Sequence, residues 1–172
     1  MNTHLIFHTS QPVDLAIHIT VTKRLPFAIT DLSWQLSTES KPTKITDHPA
    51  IQWLSAYFKH QFQPIDFPIQ PEGTPFQKRV WQALMDIPSG TTQTYGTVAK
   101  ALNTAPRAIG HAVGANPIPL IIPCHRVVSA QGIGGYSATG GVEIKKQLLD
   151  WETYSHLDPK FDNESQPEWK PW

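Results

Sequence analysis

Cys124 is the only cysteine among the 172 residues, and it sits in the string Ile122-Pro123-Cys124-His125-Arg126-Val127-Val128. A cysteine attacks as its thiolate, so it needs a base or a positive neighbourhood. Here an imidazole and a guanidinium follow at once. Adjacent residues of an extended strand face opposite sides, so His125 assists Cys124 where the chain bends or where a water links the two groups. Pro123 makes such a bend plausible. The competing expectation is an inert, buried cysteine beside an apolar run, the commoner fate of a free thiol. A lone cysteine excludes an internal disulfide and a cysteine-based zinc cluster. His4 and His8 share a strand face but stand too far apart to chelate. No metal is expected, and a single thiol suits a reducing, cytoplasmic compartment.

The elements that must position this string are legible in outline. The first third holds short alternating pieces, His4–Phe7, Leu15–Val21 and Phe27–Leu36, punctuated by Pro12, Pro26 and Pro42, which reads as antiparallel strands. Ile51, Leu54, Tyr57, Phe58 and Phe62 recur at helical intervals over His48–Phe62. Pro64, Pro68 and Pro71 then form a stiff, extended linker up to Gly73. Beyond it the pattern turns helical. Thr74 is a candidate N-cap before Pro75, with Phe76, Val80, Trp81, Leu84 and Met85 on one face. A short helix over about Tyr95–Leu102, a turn at Asn103-Thr104-Ala105 and a second helix over about Ala105–Ala115 outline a helix-turn-helix. Leu120-Ile121-Ile122 reads as a short β-like run. Glycine-rich loops and an amphipathic helix over about Val142–Tyr154 follow, and a polar tail from His156 in which Trp169 and Trp172 are free to dock.

With 40% hydrophobic residues the chain can bury a core, and it has no apolar run long enough to cross a bilayer. The overall charge of zero hides a distribution. Residues 1–72 carry a net −1, residues 73–150 a net +4, and residues 151–172 a net −3. A basic middle can hold phosphate, although ordinary solvated surfaces reach that charge too. The helix Ala105–Ala115 is dominated by alanine and glycine. A helix this thin suits the minor groove of B-DNA, about 6 Å wide, better than base reading by long side chains. Close packing of small residues in a core is the equally open alternative.

At this point the chain resembles the O6-alkylguanine-DNA alkyltransferases. The resemblance runs from Gly73 to Glu152 and is carried by Gly73-Thr74-Pro75-Phe76-Gln77 with Val80-Trp81, by Ile87-Pro88-Ser89-Gly90 with Thr94-Tyr95-Gly96, and by Arg107-Ala108-Ile109-Gly110. Asn116-Pro117, Ile122-Pro123-Cys124-His125-Arg126-Val127, Gly135-Tyr136 and Lys145-x-x-Leu148-Leu149-x-x-Glu152 complete it. It implies an α+β protein: a variable N-terminal α/β domain over 1–68, with an antiparallel, RNase H-like sheet, and a mostly helical winged-helix or helix-turn-helix domain over 73–155. A tail follows over 156–172. It further implies that Cys124 accepts an alkyl group from the O6 of guanine, that His125 is the base through a bound water, and that Glu152 orients His125. Tyr95 would protonate the departing guanine and Asn116 would join the recognition helix to the active-site segment. Arg107 would fill the gap left by a flipped nucleotide. Gln77, Thr94, Gly96, Ala108, Gly110 and Arg126 would meet DNA as well, and Tyr136, Ser137, Val113 and Val127 would wall the base pocket. The implied partner is double-stranded DNA containing O6-alkylguanine, bound by a monomer with no cofactor.

The chain departs from that family in three places. The turn before Arg107 is about two residues shorter, His111 and Val113 stand where small or amide residues are usual, and Ser137-Ala138-Thr139 lengthens the loop after Tyr136. An altered tolerance of bulky alkyl groups is expected. Three other readings compete. A non-catalytic lesion-binding relative would carry tryptophan in place of Cys124. A helix-turn-helix regulator would leave Cys124, His125 and Glu152 unexplained. A Cys-His hydrolase would hold its base far from the nucleophile in sequence.

Overall fold

The computed structural model describes residues 3–10, 12, 14–22, 27–36 and 47–157. Three strands, β1 (Thr3–Thr9), β2 (Leu15–Val21) and β3 (Ile29–Leu36), form an antiparallel sheet in the order β1-β2-β3. Leu5 lies opposite Ile19 and Ile17 opposite Trp34. Central strand β2 buries Leu15, Ile17, Ile19 and Val21 on one face, the alternation that a half-covered sheet requires.

Helix α1 (Pro49–Tyr57) starts on a cap in which His48 Nδ1 accepts from the Ala50 N–H, with Pro49 at the first position. It stops before the Phe62 expected from periodicity. His60 takes φ 55°, its N–H reaches the Tyr57 carbonyl at 3.1 Å, and Gln61 N–H reaches Ala56 at 2.9 Å. That is a Schellman stop with histidine where glycine is usual, so no glycine marks it in the chain. The proline-rich stretch that follows is held rather than free. Ile29 donates to the Pro68 carbonyl and accepts from Gln70, adding a parallel bridge to the edge of β3.

Helix α2 (Pro75–Met85) has the expected start, with a full capping box between Thr74 and Gln77. A two-residue strand β4 (Gln93–Thr94) leads into α3 (Tyr95–Ala101), and α4 (Pro106–Gly114) follows. The turn between α3 and α4 is again a Schellman stop: Asn103 has φ 50° and Thr104 N–H reaches the Ala99 carbonyl at 2.9 Å. Asparagine tolerates this conformation, which lets the shortened turn close. Leu120-Ile121-Ile122, read above as a β-like run, is instead a buried turn: Leu120 has φ 74° and Ile122 N–H bonds to the Ile118 carbonyl at 2.9 Å. Strand β5 (Val127–Val128) pairs in parallel with β4, and α5 spans Gly141–Leu157. The tryptophans of the tail lie outside the described residues. The architecture is α+β, and no described helix is long and apolar enough to cross a membrane.

One apolar cluster joins sheet and helices, running from Phe7, Ile17 and Trp34 through Leu54 and Trp81 to Ile122 and Leu148. Trp81 is its hub under the helix-turn-helix; its indole N–H donates to the Ala112 carbonyl at 2.8 Å and fastens α2 to α4. Trp81→Ala is expected to cost about 3–5 kcal/mol through the cavity it leaves, read as a lowered midpoint of urea unfolding with an unchanged slope.

Candidate active site

The string Pro123-Cys124-His125-Arg126 does bend. Cys124–Arg126 form a single 3-10 turn, closed by Arg126 N–H on the Pro123 carbonyl at 3.0 Å, and all three residues are buried. The bend sends His125 and Arg126 inward to one carboxylate. His125 Nε2 lies 2.8 Å from Glu152 Oε1, and Arg126 donates Nε to Oε2 at 2.9 Å and Nη2 to Oε1 at 2.8 Å. Gly90 N–H donates to Oε2 at 3.1 Å, and the Tyr57 hydroxyl donates to Oε1 at 2.7 Å. Burial pushes Glu152 up, but the charges and hydrogen bonds of His125 and Arg126 overcome it and hold the carboxyl well below the usual range.

An ionised carboxylate only accepts, so His125 Nε2 must carry the proton of the shared bond. In the neutral ring Nδ1 is then the lone-pair nitrogen. It is buried and has no hydrogen-bond partner among the described residues. Burial also lowers the His125 pKa, against the pull of Glu152, so the ring rests neutral at physiological pH. The same burial raises the Cys124 thiol, offset in part by the side chains of Asn116 and Tyr136 and by the charge of Lys145. The resting pair is therefore thiol and neutral imidazole, with an unfilled basic nitrogen nearby.

The other side chains arrive from several elements. Asn116, just after α4, donates Nδ2 to the Ile122 carbonyl at 2.8 Å and accepts from Ile118 N–H at 3.0 Å, which ties the end of α4 to the segment before Cys124. The β4–β5 pairing sets Tyr95, the first residue of α3, near Cys124. Burial, then the charge of Cys124, raises the Tyr95 phenol and keeps its proton on. The Tyr136 hydroxyl makes no hydrogen bond of good geometry, yet it lies close enough to the thiol for each to shift the other. Tyr136 packs on Trp34, ring centroids 6.4 Å apart, and the Trp34 indole donates to the Thr139 carbonyl at 2.9 Å. These contacts pin the long loop after Tyr136 against β3. Between them opens a cavity of about 230 Å³ lined by Cys124, Asn116, Ser137, Thr139, Trp34 and Asp31, among others.

Several expectations need correcting. Arg126 is not on a DNA face: it is 7% exposed, and its donors are used on Glu152, the Ile87 carbonyl and Ser89. Val113 and Val127 are buried in the core, and Gly114 lines the cavity instead. The Thr94 hydroxyl caps α3 by accepting from Thr97 N–H, and Gln77 Oε1 closes the capping box. Both oxygens thus secure helix starts. Arg107 and Gly96 are exposed, and Ala108 and Gly110 are half-exposed.

Lys145 and Tyr57 were missed. Lys145 is fully buried, and its ammonium donates to the carbonyls of Val127, Ile133 and Gly135 at 2.7, 2.6 and 3.0 Å. Burial lowers its pKa to about 8, against the pull of Cys124. A signal existed, because Lys145, Leu148 and Glu152 share one stripe of α5, and a charge on an apolar stripe asks for a partner. The Tyr57 hydroxyl gave none, since its partner is 95 residues away.

The comparisons with known proteins point to one family. The profile of the family described as "6-O-methylguanine DNA methyltransferase, DNA binding domain" matches residues 75–154. A methylated-DNA–protein-cysteine methyltransferase of Methanosarcina acetivorans is 47% identical over 106 residues, 60% of this chain and 67% of that one. The chain belongs to the methylated-DNA–protein-cysteine methyltransferases. The fold agrees as well. The structure of Mycobacterium tuberculosis OGT in complex with DNA has a TM-score of 0.68 and 34% identity, covering 88% of this chain and 92% of that one. The structure of the M. tuberculosis O6-methylguanine methyltransferase gives 0.67 and 30%, covering 91% and 100%.

Because Arg126 neutralises a buried carboxylate, Arg126→Gln in this methyltransferase is expected to cost about 3–5 kcal/mol of stability. A phosphate contact would instead show as weaker, less salt-dependent DNA binding at unchanged stability, so chemical denaturation and a salt titration of DNA binding separate the two.

Proposed function

We propose that this methyltransferase repairs DNA by moving the alkyl group of O6-alkylguanine onto Cys124, once per molecule. The observation that carries the reading is the unpartnered, lone-pair Nδ1 of His125, fixed by the bond of Nε2 to an ionised Glu152. A buried acceptor of this kind calls for a water, and a water between Nδ1 and the thiol passes the Cys124 proton to His125. The sulfur then attacks the alkyl carbon, the carbon–O6 bond breaks, and its electron pair returns to the base. Tyr95, kept protonated by its surroundings, donates a proton to the departing guanine. The two proton transfers balance: His125 gains one, Tyr95 loses one, and solvent restores both. The product is a thioether, which no group at the site is equipped to cleave. Repair of O4-alkylthymine by the same attack belongs to this reading.

DNA binding is assigned to the second helix of the helix-turn-helix. Arg107 stands exposed at its start. A side chain built on Gly110 or Gly114 would meet nothing within 4 Å. Close packing is therefore no reason for glycine there, and a thin face toward a narrow groove is. The reaction needs the nucleotide outside the stack, and Arg107 is the residue placed to occupy the gap. The division into domains 1–68 and 73–155 and a monomeric state belong to the same reading. A lesion-binding protein without chemistry is the second reading, and Cys124 speaks against it.

Incubation with duplex DNA holding one O6-methylguanine is expected to add a single methyl group to the protein, mapped to Cys124 and absent in Cys124→Ser, by intact and peptide mass. Repeated turnover on excess DNA would refute the one-use reading. Arg107→Ala is expected to slow transfer from duplex DNA by about tenfold or more, since flipping costs a few kcal/mol, while transfer from the free alkylated base stays near the wild-type rate. Equal slowing of both would remove Arg107 from the flipping role.

A further inference from the structure

The carboxylate that holds His125 is itself held from the N-terminal half of the chain. Tyr57 is the last residue of α1 and is 1% exposed, and its hydroxyl donates at 2.7 Å to Glu152 Oε1, the oxygen that also accepts from His125. Its ring is packed between Trp53 at 5.4 Å, Phe58 at 5.1 Å and Phe62 at 5.2 Å, centroid to centroid. The Trp151 indole, one residue before Glu152, donates to the Tyr57 carbonyl at 3.3 Å. Hydroxyl and backbone of one residue thus grip the end of α5 where the relay begins.

From this geometry we infer that Tyr57 is a positioning residue for the methyl transfer: it acts through Glu152 to set how strongly His125 takes up the thiol proton. Three donors, from Tyr57, His125 and Arg126, share that carboxylate oxygen and compete for its charge. With the Tyr57 hydroxyl in place, Glu152 pulls less on the imidazole, so the ring stays neutral and available as a base. Without it, more of the carboxylate's charge falls on His125 and the protonated ring is favoured. The groups that bear on His125 are Glu152 and Lys145 from α5, Arg126 from its own turn and Tyr57 from α1. Burial and the charges of Arg126 and Lys145 oppose protonation of His125, and Glu152 favours it. Tyr57 is the group that moderates the favourable pull without itself carrying charge, since burial and the neighbouring Glu152 raise its phenol well above the usual value.

This inference rests on the proposed role of His125 as the base. The test uses the full-length protein and a short single strand carrying O6-methylguanine, so that base flipping does not limit the rate. In the wild type the rate is expected to fall as pH drops through the His125 pKa, which burial lowers from the ordinary imidazole value. Tyr57→Phe keeps the ring and removes the hydroxyl; it is expected to move that acid limb up by about half a pH unit or more. NMR titration of the His125 ring in the same variant should show the same upward shift without reference to activity. Glu152→Gln and the double variant complete a cycle: if Tyr57 acts through Glu152, adding Tyr57→Phe to Glu152→Gln changes the rate little. An unmoved acid limb and an unmoved His125 titration in folded Tyr57→Phe would overturn the inference, as would rate losses that multiply in the double variant. A wild-type protein that transfers no methyl group, with the His125 titration still shifted by Tyr57→Phe, would overturn the catalytic reading and leave the electrostatic link standing.

Discussion

The ionised carboxylate of Glu152, buried with no exposed surface, is the constraint on which the site depends. A carboxylate taken out of water is costly unless its lone pairs are filled. Here five donor contacts converge on two oxygens: Tyr57, His125 and Arg126 on one, Gly90 and Arg126 on the other. They come from α1, the turn before β4 and the 3-10 turn, and they meet an acceptor carried by α5. Moving any one of these elements would leave the charge partly unpaired, so the demand for satisfaction acts as a clamp on the whole arrangement. The pair is weak as a source of net stability and strong as a means of specifying one geometry.

The clamp also settles the state of the nucleophile's neighbour. Because Glu152 stays ionised it can only accept, which fixes the His125 tautomer and leaves Nδ1 as the lone-pair nitrogen. Burial works on each partner in its own direction, raising the thiol and lowering the imidazole, so the charged pair is not the resting state. A neutral resting pair avoids a standing charge in an apolar pocket, and separates charge once an electrophile is present to receive the sulfur. Lys145 supports this from the other side. Its three carbonyl acceptors close the loops around β5, and its positive charge favours the Cys124 thiolate over the thiol.

The thiol, the imidazole and the bend between them were visible as candidates in six consecutive letters, but on those letters alone an inert buried cysteine was the stronger expectation, and their roles came from the resemblance. The strands and most helices could also be read, since their periodicity and caps are local properties. What escaped depended on distance or on unusual backbone. The stop at His60 uses a left-handed histidine in place of glycine, and the turn at Leu120 hides inside an apolar run. The resemblance counts Arg126 among the residues that meet DNA, while the partner that buries it lies 26 residues on. The β3 side chains lining the cavity, Asp31 and Trp34 among them, became part of the site only through the packing of the sheet on the loop after Tyr136.

The exposed face of α4 obeys a different logic from the buried site. Glycine inside a helix costs up to about 1 kcal/mol relative to alanine, and a fold that chose residues for its own stability would replace Gly110. Nothing within 4 Å prevents that replacement, for a Cβ there would point into open space. The hypothesis that glycine eases packing within the chain therefore has no contact to rest on. The reason for a bare backbone must lie beyond the protein surface, in something that approaches this helix too closely to admit a side chain. A DNA groove meets that description, and a helix that offers it few side chains gains closeness at the expense of sequence readout. For a protein that must find a damaged base in any context, weak readout is no loss.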